Sequence, residues 1–118
     1  MIVLETYEGK VCGGFTSQSW GIGQDYVSDT DAFVFNMQNN YTPRDIENAI
    51  YVRYGGGFEF GNRLLKLDCD PLNKHDGGDC SSLNHYNIKQ DSEGKNPLTG
   101  KSKNFSCSKL EVFRIFFD

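Results

Sequence analysis

Apolar and polar positions alternate in short runs broken by polar, glycine-bearing stretches, and no run sustains a 3.6-residue period; the pattern predicts a β protein. Residues 2–6 (Ile-Val-Leu-Glu-Thr) read as a strand. Tyr7-Glu8-Gly9-Lys10 then reads as a polar turn with glycine placed for a positive φ, so residues 11–15 are expected to return antiparallel. In Val11-Cys12-Gly13-Gly14-Phe15 the outer apolar residues share one face, and the paired glycines point to a bulge or to the close approach of another backbone. The next turn carries the single tryptophan, Trp20, expected as a plug over one end of the core with its indole N–H on a loop carbonyl. Residues 24–31 are acidic and turn-rich. Residues 32–37 are apolar on both faces, as in a central strand covered on both sides.

In the second half, Thr42-Pro43-Arg44-Asp45 has the order of an N-cap, a first-turn proline and an acid, which predicts one helical turn. Residues 49–54 form a β-branched and aromatic strand that runs into Gly55-Gly56-Gly57. The stretch from Gly55 to Leu67 is expected to turn the chain between the two layers of the fold, with Phe58 and Phe60 sealing the interior and Glu59 and Arg63 on the exposed side. Residues 64–67 give a further strand, 68–84 a long polar loop, 86–88 a brief strand and 104–107 an alternating one. At the end of the chain Leu110, Val112 and Phe116 share one face, and Phe113, Ile115 and Phe117 the other. A strand so apolar on both sides is expected to be central. Together these elements predict a mainly β fold, a two-layer antiparallel β sandwich with one or two short helices.

At 118 residues the chain is expected to form one domain that buries roughly 65% of its unfolded surface. Aromatic residues at 14% suit packed sheets, and thirteen glycines against three prolines suit many turns. The net charge of −4, without any block of lysine or arginine, argues against a nucleic-acid or anionic-membrane surface. The first residues lack a positive n-region, and no window approaches the ~18 apolar residues of a membrane span, so a cytoplasmic protein without membrane insertion is expected. The four cysteines, Cys12, Cys69, Cys80 and Cys107, are then expected as reduced thiols.

The sequence holds no catalytic constellation. Gly100-Lys101-Ser102 resembles the end of a phosphate loop, but Lys95 stands where the earlier glycine is required. A calcium loop opening at Asp68 would place Asn73 where glycine and Asp79 where glutamate are needed. Cys69, His75, Cys80 and His85 lie within seventeen residues, without the tight spacing of a zinc knuckle. Neither a cofactor nor a metal is expected. Cys107 or Cys12 could serve a thiol-based redox enzyme or scavenger, which is the alternative reading. Glu111, between Leu110 and Val112, should either point out of a sheet edge or be held by Arg114, Arg53 or a backbone amide; it is also a candidate partner contact.

Several stretches resemble, in order, the signatures of the TLDc domain. They are residues 11–20 (Val-Cys-Gly-Gly-Phe-Thr-Ser-Gln-Ser-Trp), Asp31-Ala32-Phe33-Val34-Phe35, Ala49-Ile50-Tyr51, Phe58-Glu59-Phe60-Gly61, Leu98-Thr99-Gly100 with Phe105, and Leu110-Glu111-Val112-Phe113. The resemblance implies a two-sheet antiparallel sandwich flanked by short helices. It also implies a non-enzymatic protein-interaction module linked to oxidative stress protection, as in the oxidation resistance proteins, and to regulation of the vacuolar proton-pumping ATPase, whose subunits are the expected protein partners. Two departures stand out. The family's domain begins upstream of the segment matching residues 2–6, so residues 1–118 are expected as a single N-terminally truncated TLDc-like domain with a sheet edge either exposed or covered by a partner. After Phe60-Gly61, Asn62-Arg63-Leu64 replace the further glycine and acidic residue common in the family. Glu59, Arg63 and Glu111 are the candidate partner-contacting residues.

Overall fold

Short alternating segments joined by turns produce β1 (Ile2–Thr6), β2 (Val11–Phe15), β3 (Asp25–Val27), β4 (Phe33–Asn36), β5 (Asn40–Tyr41), β6 (Ile50–Val52), β7 (Glu59–Phe60), β8 (Leu65–Leu67), β9 (Gly78–Asp79), β10 (Asn104–Phe105) and β11 (Cys107–Val112). The computed structural model describes residues 1–20, 24–53 and 56–115. Within them, the strands form two sheets, one ordered β11-β1-β2-β4-β5 and the other β10-β9-β8-β7-β6-β3. Every pairing is antiparallel, and tight turns join β1 to β2, β4 to β5 and β7 to β8. The architecture is the expected two-layer sandwich.

The two-residue period decides what enters the core. In β1, Ile2, Leu4 and Thr6 are buried while Val3 and Glu5 are only partly so. Cys12, Gly14 and Val34 sit opposite them on the same inner face, and the second sheet contributes Ile50, Val52, Phe60, Leu65 and Leu67. Gly14 is where the layers come closest: a Cβ there would lie 2.6 Å from the Phe60 ring. Trp20 packs edge-on to Phe58 and Phe60, with centroids 5.2 and 5.5 Å away, and closes that end of the core as expected. The close approach read from Gly13-Gly14 is therefore real, with a Phe60 side chain as the neighbour at Gly14 and the Ile2 carbonyl as the neighbour at Gly13.

Three expectations are corrected. Glycine-rich residues 55–67 do not carry the chain between layers, since β6, β7 and β8 are neighbours in one sheet; Tyr54 and Gly55 lie outside the described residues. The final strand is not central: β1 already has β2 on one side, β11 takes the other, and β11 becomes the sheet's edge. Val112, Phe113 and Ile115 are accordingly 59, 42 and 39% exposed, while Phe116 and Phe117 lie outside the described residues. The helical turn expected at residues 42–45 is displaced. The His85 carbonyl accepts the amides of Arg44 and Asp45 and Pro43 bridges Tyr86, which holds those residues extended, so a 3-10 turn forms later at Ile46–Asn48. A second lies at Pro71–Asn73. These two turns are the only helical elements among the described residues.

Buried polar side chains fasten the loops. The Asn96 amide donates to the Leu64 and Cys80 carbonyls, and its Oδ1 accepts the Leu98 amide. The buried Tyr86 hydroxyl donates to the Ala49 carbonyl at 2.7 Å, and burial pushes its pKa up. Asp29 receives Thr16 Oγ1 at 2.6 Å, Ser17 N and Oγ both at 2.7 Å, and Asp31 N at 2.9 Å. Burial alone would raise the Asp29 carboxyl, but these hydrogen bonds outweigh it and set its pKa below the usual value.

Gly14→Ala is expected to cost about 1–3 kcal/mol by forcing the Phe60 ring aside. Denaturant unfolding should show a smaller loss when the same change is made in a Phe60→Leu background; equal losses in both backgrounds would refute the contact as the cause. Asp29 stabilises the fold fully above the unfolded carboxyl's pKa of about 3.9, and the contribution is lost as pH falls through the lower folded value. Asp29→Asn should therefore lower stability at pH 7 by about 1–3 kcal/mol and flatten the acid limb of a stability-versus-pH curve.

Candidate interaction surface

On the outer face of the second sheet, β7 turns Phe60 inward and Glu59 outward. Glu59 is nevertheless only 1% exposed. Arg53, from the end of β6, donates Nε to Oε1 at 2.5 Å and Nη2 to Oε2 at 3.2 Å, and the backbone amide of Arg63 donates to Oε2 at 3.0 Å. Donation to the Glu59 carboxylate raises the already high pKa of Arg53, so the guanidinium stays charged. Its carbon lies 4.5 Å from the centre of the Tyr51 ring, which meets Tyr26 edge-on at 4.8 Å. The turn that presents the Arg63 amide has φ of +62° at Gly61 and +64° at Arg63. Glu59 thus holds a left-handed turn and a neighbouring strand together.

Glu59 is corrected as an exposed partner contact: its carboxylate is enclosed and used within the fold. Arg63 does present its side chain outward, with Nη1 3.4 Å from Asp79 Oδ2. Glu111 takes the first of its expected positions, exposed on the edge strand opposite Val3, while Arg53 serves Glu59. The three candidates do not form one site. Asn62 Oδ1 is buried without a hydrogen-bond partner among the described residues.

A different feature collects apolar groups at the surface. A groove of about 720 Å³ is lined by Met1, Trp20, Phe58, Val112, Phe113 and Ile115, among others. It joins the Trp20 end of the sandwich to the end of β11. Strand periodicity could not reveal it, because the tryptophan turn and the last strand meet only through the sheet order.

The thiols are poorly placed for reaction. Cys12, Cys80 and Cys107 are buried, and desolvation raises the pKa of each. Cys107 Sγ lies 3.0 Å from the Lys109 carbonyl, and Thr99 Oγ1 donates to Cys80 Sγ at 3.1 Å. Cys69 is exposed. The suggested Cys69, His75, Cys80 and His85 set is not brought together: His85 Nδ1 contacts Asp45 at 3.1 Å, His75 lies by Asp76 and Ser106, and Cys80 is in the core. Among the described residues no three His, Cys, Asp or Glu side chains gather as metal ligands. The His85 hydrogen bond, followed by Arg44, lowers the Asp45 pKa.

Glu59→Ala should destabilise the domain by about 3 kcal/mol, since it leaves the Arg53 guanidinium and the Arg63 amide without their acceptor; Glu59→Gln should cost less. Urea unfolding measures both, and an unchanged midpoint for Glu59→Ala would overturn the structural role.

The residues that converge here, Gly14, Trp20 and Phe58 to Gly61, belong to separate segments of the chain, as does the Leu98-Thr99-Gly100 turn beside Cys80. The TLDc domain family model matches residues 1–116. No curated protein and no solved structure matches the chain significantly. With the match spanning nearly every residue and the family's segments meeting in one sandwich, the chain belongs to the TLDc domain family.

Proposed function

We propose that this domain is a non-enzymatic protein-interaction module, acting in oxidative stress protection through regulation of the vacuolar proton-pumping ATPase from the cytoplasmic side. The observation that carries the reading is the division of labour among side chains. The buried polar groups Asp29, Glu59, Asn96 and Thr99 are occupied by contacts within the fold, whereas Val112, Phe113 and Ile115 stand exposed beside the Trp20 groove. Apolar groups gathered at a rim suit a macromolecular partner. The family's association with the pump supports the pump as partner class, and no helix of the described residues is long and apolar enough to cross a membrane. The thiol-based alternative through Cys12 or Cys107 is disfavoured by their burial and raised pKa values.

Affinity capture with the purified domain should retain subunits of the pump, and Phe113→Ser should reduce capture about tenfold while leaving the thermal midpoint nearly unchanged. Repeated absence of pump subunits under both assembled and disassembled conditions would count against the pump. Peroxide consumption by the purified chain that disappears in the Cys12→Ser, Cys107→Ser variant would instead favour the thiol reading.

A further inference from the structure

We infer that β11 pairs antiparallel with β11 of a second copy of this chain, about a twofold axis through Leu110, so that the two five-stranded sheets become one. β11 lies at a sheet edge, paired among the described residues with β1 alone. Three of the seven large hydrophobic side chains exposed among the described residues, Val112, Phe113 and Ile115, fall at its end, so the uncovered apolar surface is concentrated there. Folded proteins normally blunt such an edge or cover it.

Backbone geometry says which residues can pair. Met1 and Phe113 exchange both of their backbone hydrogen bonds, each at 2.7 Å. By the alternation of an antiparallel ladder, Glu111 and Lys109 then also bond toward β1, whereas Leu110 and Val112 turn their N–H and C=O groups outward. No described backbone group outside the ladder bonds to either residue; the Pro71–Asn73 turn packs against β11 without taking those bonds.

Charge then selects the register. With the axis at Leu110, the two Leu110 residues form a reciprocal hydrogen-bonded pair, and Lys109 of each copy faces the partner's Glu111. Those are non-hydrogen-bonded positions, where opposed side chains approach most closely. Moving the axis one residue either way sets Glu111 against Glu111 or Lys109 against Lys109, which is repulsive. An axis at Val112 leaves Glu111 facing Phe113. Lys109, 78% exposed and 3.5 Å from Glu5, and the exposed Glu111 are both free of the core and able to meet a partner. One short strand therefore carries its own complement, which is why a second copy is the occupant chosen over a foreign strand.

Sedimentation equilibrium of the 118-residue chain over a range of concentrations should show a monomer–dimer equilibrium. Glu111→Lys should weaken the dimer about tenfold or more by turning two attractive pairs repulsive, and Lys109→Glu should do the same. An equimolar mixture of the two variants should dimerise again, because every facing pair is then of opposite charge. Thermal unfolding of each variant reports that it is folded. In the wild-type chain, amide exchange at Leu110 and Val112 should slow as concentration rises, a readout that needs no variant. A wild-type monomer throughout, dimerisation of Glu111→Lys as tight as wild type, a mixture that stays monomeric, or exchange at Leu110 and Val112 independent of concentration would overturn the inference.

Discussion

The contact between the Phe60 ring and Gly14 sets how closely the two sheets pack, and much else follows from it. A side chain at Gly14 would occupy the space of the ring. Because no side chain stands there, the Phe60 ring fills that space, and Trp20 packs edge-on against it and Phe58. Interiors packed to this density accept little change in volume. The same two-residue strand that sends Phe60 inward sends Glu59 outward, where Arg53 and the Arg63 amide hold it. The strand is thus fixed on one face by apolar packing and on the other by a charged clamp.

Polar groups inside the molecule serve geometry. Asp29 gathers four donors and ties the loop before β4 to the end of β2, while Asn96 and Thr99 fold the long late loop back over Leu64 and Cys80. Each would be costly to bury alone, and each is satisfied by backbone or side-chain partners. Asn62 Oδ1 apart, such atoms among the described residues are occupied within the fold, and the groups left open lie at the surface. There the exposed apolar rim and the outward backbone groups of β11 are adjacent.

Local pattern and tertiary outcome diverge most at β11. The run expected as a central strand ends at Val112 as β11 and takes the one side of β1 that β2 leaves vacant, so it becomes an edge. The helical turn expected near Pro43 failed for a related reason. Its capping order is a local preference, and hydrogen bonds from Arg44 and Asp45 to the distant His85 carbonyl outweighed it. The short strands β3, β5 and β9 were not legible either, since two or three residues cannot display a period.

The sequence by itself determined the sandwich, the first hairpin residue for residue, the tryptophan plug, the family and the need for space at Gly13-Gly14, because each rests on alternation, turn chemistry or an ordered set of motifs. Among the candidate surface residues it placed Arg63 outward, left Glu111 between an exposed edge and a held position, and misplaced Glu59. Strand parity does put Glu59 on the face away from the core; that Arg53 and the Arg63 amide would close over it depends on the β6–β7 register and a left-handed turn, which no local pattern encodes. Sheet order likewise belongs to the tertiary structure alone. It made the final strand an edge and brought Trp20 to the end of that strand, because the neighbours a strand acquires depend on which other edges remain unpaired.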